Sequence, residues 1–234
     1  MATLDELPLR QRKFATTKLG LLRAAVERLD ARSLDELQVR ELCDAVGISE
    51  ASFFNYFPRK TDLLLYFVQI WTVDVAWHVL REKPAPSSVN AAIRRIFDVT
   101  AAQATDHPRV MAEVLAVQAR LTTQPPTQPL TLAERLSAFP GRQGIEDVPE
   151  HGLDSLLPDL LRRAVRQGEL PQRTDLTAAT LGLTAIFFGV PIVMRRIDPS
   201  AIARTYRSQL EIYWAGLSAI PRRSRPTKRR RSAR

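Results

Sequence analysis

Apolar residues recur at three- and four-residue intervals along almost the whole chain, and the alternation of a half-buried strand does not appear. In residues 18–32, Leu22, Ala25, Val26 and Leu29 fall on one helical stripe. Residues 39–47 repeat this over two turns, with Val39, Leu42, Cys43 and Val46 inward. Gly47 then stands where a left-handed residue closes a helix. Ser49 follows, with a hydroxyl that can cap another short helix. Residues 61–82 are apolar on nearly every face, which predicts a helix covered on several sides and shared by two cores. Helical spacing continues over 89–105, 108–121, 153–170, 175–197 and 199–217, where Pro199 suits a first helical position. Residues 122–152 are rich in Pro, Gly and polar side chains. They predict either a long mobile loop or a poorly ordered insertion with one helical turn near 132–138. The fold class expected is all-α.

The segment at 46–64, VGISEASFFNYFPRKTDLL, carries the chemistry. Two short helices, about 39–46 and 49–56, flank a glycine-containing turn and so predict a helix-turn-helix. Phe53 and Phe57 can seal a three-helix core against Leu22, Val26 and Leu42. The opposite face of the second helix carries Glu50, Ala51, Ser52, Phe54 and Asn55. Residues near the start of such a helix face base edges, and a phenol or amide further along reaches phosphate oxygens.

These stretches resemble the TetR family of transcriptional regulators over about residues 10 to 67. TKLGLLRAA is similar to that family's first helix, VRELCDAVGIS to its second helix and turn, and SFFNYFPRKTDLL to its recognition helix and the junction that follows. The resemblance implies that Glu50, Ala51 and Ser52 face the major groove, that Phe54 and Tyr56 lie along the sugar-phosphate backbone, and that Lys60 grips a phosphate; Asn55, on the same exposed face, is a further DNA-binding candidate. A lysine at a helix start is unfavourable unless an anion is nearby, which points the same way. Three positions depart from the family's pattern. Gln38 stands where a capping threonine is usual, and Arg59 replaces a polar cap and offers a second phosphate contact. Glu50 is an acid, which can accept from cytosine N4 or simply complement the helix N-terminus. The resemblance further implies an N-terminal DNA-binding unit at 1–67 and a helical effector and dimerisation unit at 68–220. It implies a homodimer on a palindromic operator that represses transcription and is released by a small molecule. The helices at 175–197 and 199–217 are the expected dimer interface.

Charge changes the picture at one place. The net charge is +9, but the last 14 residues hold eight Lys and Arg and no acid; without them 26 basic residues face 25 acidic ones. The body is near neutral and the tail at 221–234 reads as disordered, either a solvated tail or a non-specific nucleic-acid arm. The second reading leaves a sequence-tolerant architectural binder as the alternative function. One cysteine and three scattered histidines offer no metal site. Asp154 and Ser155 beside His151 form one local cluster at a loop boundary, but the Asp, Glu and His residues offer no catalytic grouping, so neither an enzyme nor a cofactor is expected. The N-terminus lacks a secretory h-region. The apolar run at 178–194 is interrupted by Gly189 and Pro191 and reads as a helix buried in protein, so a cytoplasmic protein without membrane contact is expected. Trp71, Phe97, Phe187 and Phe188 are the candidates to line a pocket for a small apolar or aromatic effector.

Overall fold

A computed structural model describes residues 3–121, 128–150 and 152–219; residues 122–127, His151 and the basic tail lie outside the described residues. Among the described residues the chain is ten α-helices and three 3-10 turns with no strand. The N-terminal unit is α1 (Leu9–Leu29), α2 (Val39–Val46) and α3 (Glu50–Tyr56). Nothing in 9–17 breaks a helix, so α1 begins two turns before the apolar stripe that announced it. The long α4 (Asp62–Leu80) leads into α5 (Val89–Asp106), α6 (Pro108–Arg120), the short α7 (Leu132–Ala138), α8 (Leu153–Gln167), α9 (Leu176–Ile197) and α10 (Ile202–Ser218). Pro199 opens a 3-10 turn, Pro199–Ala201, capped by Asp198, instead of the α-helix itself.

The helices start and stop for local reasons. Ser88 and Asp175 each accept a backbone N–H and so cap α5 and α9. Gly168 at φ 78° ends α8, a conformation that costs glycine nothing. α4 serves two cores. Leu63, Leu64 and Tyr66 are buried against the N-terminal unit, while Val73, Val75 and Ala76 are buried in the body. α9 and α10 are joined by a bond that the sequence itself creates. Pro191 has no N–H, so the Phe187 carbonyl four residues earlier has no partner in the helical ladder. The buried Tyr206 hydroxyl donates to it at 2.6 Å. Pro191 therefore does not interrupt α9, which runs on to Ile197.

The segment 128–150 corrects the expectation of a mobile loop: it is a strap. Thr131 and Glu134 form a capping box that starts α7. Glu134, 2% exposed, then binds the Lys18 ammonium of α1 at 2.7 Å. Arg135 donates to the Val148 carbonyl and, at 2.8 Å, to Glu150. Further along, Arg142 reaches Asp74 of α4 and lies over the Trp77 ring, whose indole N–H donates to the Gln143 carbonyl at 2.9 Å. A polar composition indicated a loop, but here the polar groups are the fastenings.

Asp74 also faces His78, one turn on, at 3.4 Å, and His78 lies 2.9 Å from Glu82. Arg142 and Arg95 are the cations around this row. Asp74 raises the pKa of His78 above its ordinary 6.5, with Glu82 adding to it and burial opposing it. A raised pKa gives stability that is present below pH 6.5 and is lost as pH climbs through the folded value. The melting temperature of wild type should therefore exceed that of His78→Gln most at pH 5.5–6.5, and the two should converge at alkaline pH. A gap that widens with rising pH would contradict this.

Candidate nucleic-acid interface and effector cavity

The turn between α2 and α3 is built as its residues dictate. Gly47 is left-handed at φ 75°, and its N–H closes on the Cys43 carbonyl at 2.8 Å. The Ser49 hydroxyl caps α3 by accepting the Ser52 N–H at 3.2 Å. From there Phe53 and Phe57 enter the core and are 0% and 2% exposed. Their rings lie 5.8 Å apart, and Phe57 meets Tyr66 of α4 at 5.6 Å. With that face fixed, Ala51, Phe54 and Asn55 are exposed on the others, and Glu50 is exposed at the start of the helix. Phe54 is 50% exposed, held edge-on to Phe53. Ser52 stands apart from these, half-buried, with its hydroxyl 2.9 Å from that of Ser49.

The residues that flank α3 are more tied than their sequence suggested. Tyr56 is half-buried and its ring lies 4.8 Å from that of Phe14 on α1. Gln38 precedes α2 with an extended backbone and no side-chain cap, as its length predicts. The Arg59 guanidinium grips Asp62 at 2.8 Å. Lys60 donates to the carbonyls of Asp35 and Leu37, each at 2.9 Å. The compensation expected from a bound anion is thus internal. An ammonium has three donors, so one N–H of Lys60 remains, in a position fixed by the other two. Arg10, Lys13 and Arg40 escaped notice in the sequence. All three are exposed, and Arg10 and Lys13 stand one turn or less from Phe14, which touches Tyr56. The signal was the RQRK run at 10–13, recognisable once α1 is known to start at Leu9.

A second feature lies in the body, a cavity of about 420 Å³ between α4, α6 and α9. Trp71, Phe187 and Phe188 line it, with Val68, Met111 and Leu115. Phe97 does not. It is 1% exposed behind the wall, its ring 5.5 Å from Phe187 and 5.0 Å from Tyr206, so this expected pocket residue is a core residue. The Phe187 carbonyl, left free of the helical ladder by Pro191, is not open to a ligand, because Tyr206 already occupies it. The charged residues of the wall among the described residues are Glu150 and Asp154.

Residues 21–67, which hold most of α1, all of α2 and α3, and the start of α4, match the family model described as "Bacterial regulatory proteins, tetR family". The chain carries a TetR-family DNA-binding domain. No curated protein matches the chain. Among solved structures, the fatty acid degradation regulator FadR from Bacillus halodurans shares 17% identity at a TM-score of 0.62, over 86% of this chain and 96% of that one. Thermus thermophilus FadR, a TetR-family repressor solved with lauroyl-CoA, shares 20% at 0.61, over 89% and 97%. Bacillus subtilis FadR, solved with stearoyl-CoA, shares 16% at 0.61, over 85% and 98%. At these identities the likeness is one of fold, and it extends through the helical body as well as the TetR-family domain.

The two neighbouring phenylalanines of α3 separate core from surface. Phe53→Ala should cost about 3–5 kcal/mol in denaturant unfolding, the range for an emptied aromatic site. Phe54→Ala should stay within about 0.5 kcal/mol of wild type, as surface positions do. Equal losses would show that α3 is rotated from the orientation described.

Proposed function

We propose that the chain is a ligand-responsive transcriptional regulator, most plainly a repressor, which binds a palindromic operator as a homodimer. The observation that supports this best is the two-sided α3. Its aromatic inner face is sealed by α1, α2 and α4, while Glu50, Ala51, Phe54 and Asn55 are left to solvent. In this reading residues 1–67 bind DNA and 68–220 hold the effector and the partner subunit, and the protein acts in the cytoplasm with its operator. Glu50 and Ala51 choose bases. Phe54, Asn55 and Tyr56 pack along the backbone, and the remaining N–H of Lys60, with Arg10 and Lys13, meets phosphates. Gln38 and Arg59 stand beside them, Arg59 less available because of Asp62.

Dimerisation is supported by α9 and α10. Leu181, Ile192, Val193 and Ile197 of α9 and Ile212 of α10 are each more than half exposed. Single exposed apolar residues are ordinary, but a row on two adjacent helices marks a surface for a partner. Leu210 is not part of it, being 3% exposed inside the subunit. α4 and α9 are both long and apolar enough to cross a membrane. In the present reading α4 is a core helix and the uncovered face of α9 meets the second subunit.

Two of the solved neighbours hold acyl-CoA thioesters. In this chain the cavity wall is mostly apolar and its charged members among the described residues are the acids Glu150, paired with Arg135, and Asp154, so the described wall offers a polyanion no counter-charge. An uncharged, largely apolar effector fits better. A volume of about 420 Å³ falls within the range of small-molecule sites.

Operator selection from random duplexes by the full-length protein tests the main reading, since a palindrome must emerge. On the selected site, Lys60→Ala should weaken all duplexes alike and lower the salt slope by about 0.9 per subunit, one phosphate contact each. Glu50→Ala should change the order of preferred bases with an unchanged slope. A Lys60 variant with the wild-type slope would leave that residue only the task of holding the 35–37 loop. For the cavity, 1-decanol should raise the melting temperature by mass action, and lauroyl-CoA at the same concentration should not. The reverse ranking would overturn the uncharged-effector assignment.

A further inference from the structure

Among the described residues the N-terminal unit is fastened to the body at three places. One is the continuity of α4. The second is the start of α6, where Arg109 donates to the Ala31 carbonyl at 2.6 Å and His107 lies 3.5 Å from Asp30. The third is α7. We propose that α7 is a latch which sets the angle of the DNA-binding unit on the body, with the Lys18–Glu134 ion pair as its bolt. This rests on the reading of the chain as a two-fold operator binder.

The pair has the properties of a bolt because its carboxylate is buried: Glu134 is 2% exposed, and the Lys18 that meets it is partly buried. Glu134 accepts from Lys18 at 2.7 Å and from the N–H and hydroxyl of Thr131 at 2.8 and 2.7 Å. Two of those donors belong to its own cap. The only charge that neutralises it among the described residues comes from α1. Burial opposes its ionisation, yet the Lys18 and Thr131 hydrogen bonds outweigh burial and hold its pKa below the ordinary range. If α1 shifts off Glu134 before water can reach the carboxylate, a buried charge is left without its counter-charge, which is strongly unfavourable. The contact therefore holds at one distance or is lost, and does not slide. Such two-state contacts are what convert small shifts into discrete domain positions.

The pair also sits where an angle would be felt. The Lys18 ammonium lies 4.1 Å from the centre of the Tyr66 ring and 5.8 Å from that of Phe57, the residue that seats the end of α3. One turn earlier on α1, Phe14 supports Tyr56. On the other side of α7, Arg135 holds Glu150, which lines the cavity and accepts the Leu130 N–H at 2.6 Å. The bolt and part of the cavity wall thus belong to one strap. Lys18 and Glu134 are positioning residues: neither is on the exposed face of α3.

In a two-fold dimer, the angle of each DNA-binding unit fixes the distance between the recognition helices, and hence the spacing of half-sites. A latch must therefore show itself in spacing preference. The selected operator is remade with its half-sites one and two base pairs closer and further apart, and each is titrated with full-length protein. Wild type should discriminate against the altered spacings. Glu134→Gln keeps shape and capping but removes the charge. It should bind the optimal site within about twofold of wild type while its discrimination falls about fivefold or more, the lower range of coupling between sites. A second variant, Lys18→Met with Glu134→Leu, removes both charges and leaves none unpaired, so it guards against simple unfolding; it should show the same flattened profile. Folded variants with a wild-type spacing profile overturn the latch. So does a wild type that already tolerates every spacing. If selection yields no palindrome at all, the two-fold reading itself fails, and that outcome is separate from the other two.

Discussion

A helix of seven residues does not hold its shape in water, since nucleation costs more than so few hydrogen bonds return. The recognition helix α3 is of that length, Glu50–Tyr56. Every other feature of the N-terminal unit follows from the need to hold it. Ser49 fixes its start, Gly47 fixes the angle at which it leaves α2, and Phe53 and Phe57 fix its rotation by entering the core completely. Rotation matters most. With period 3.6, seating Phe53 and Phe57 inward turns Ala51, Phe54 and Asn55 outward, while Glu50, in line with the two rings, is exposed because it stands at the very start of the helix. The exposed face is thus a consequence of the buried one.

The core that seats α3 is continuous with the core of the body, because α4 contributes to both. The strap at 128–150 adds a second path. It touches α1 through Glu134, α4 through Arg142 and the cavity through Glu150. Its ties are ion pairs and hydrogen bonds to carbonyls, while those within the body are mostly apolar contacts. Apolar packing tolerates some sliding, whereas a buried charge tolerates little. The strap is therefore suited to defining an orientation, and the apolar body to accommodating a guest in a cavity.

Much of the DNA-binding unit was legible in the sequence because its constraints are local. A glycine at a helix end, a serine three residues before an N–H and aromatics at three- and four-residue spacing each determine structure within a few residues. The start of α1 was missed because residues 9–17 are mostly polar, and polar helix is not distinguished from loop by hydrophobic period. The strap was misread for a related reason. The partners of Glu134 and Arg142 are Lys18 and Asp74, which are 116 and 68 residues away along the chain. No local pattern encodes a pairing of that kind. Phe97 and Phe187 illustrate a third limit. Both are buried aromatics at helical spacing, yet one lines the cavity and the other lies behind it, which depends on how α5 and α9 cross.

Electrostatics sets the terms on which this surface can meet a duplex. The body is close to neutral without its tail, and the exposed face of α3 begins with an acid, Glu50. The body by itself then supplies little general attractive field, unlike strongly basic domains. Affinity has to come from a few cations held at fixed places. Lys60 is the best held of them, since two carbonyls fix its ammonium and leave a single N–H free. A cation fixed in this way loses little freedom on meeting a phosphate, so more of the contact appears as binding. It also makes the contact depend on the 35–37 loop, and through it on the packing of α2. Affinity and fold are coupled at that residue, as rotation and exposure are coupled at Phe53. In the proposed reading Glu50 acts on choice rather than strength, since an acid repels the backbone and is tolerated where a base edge donates to it.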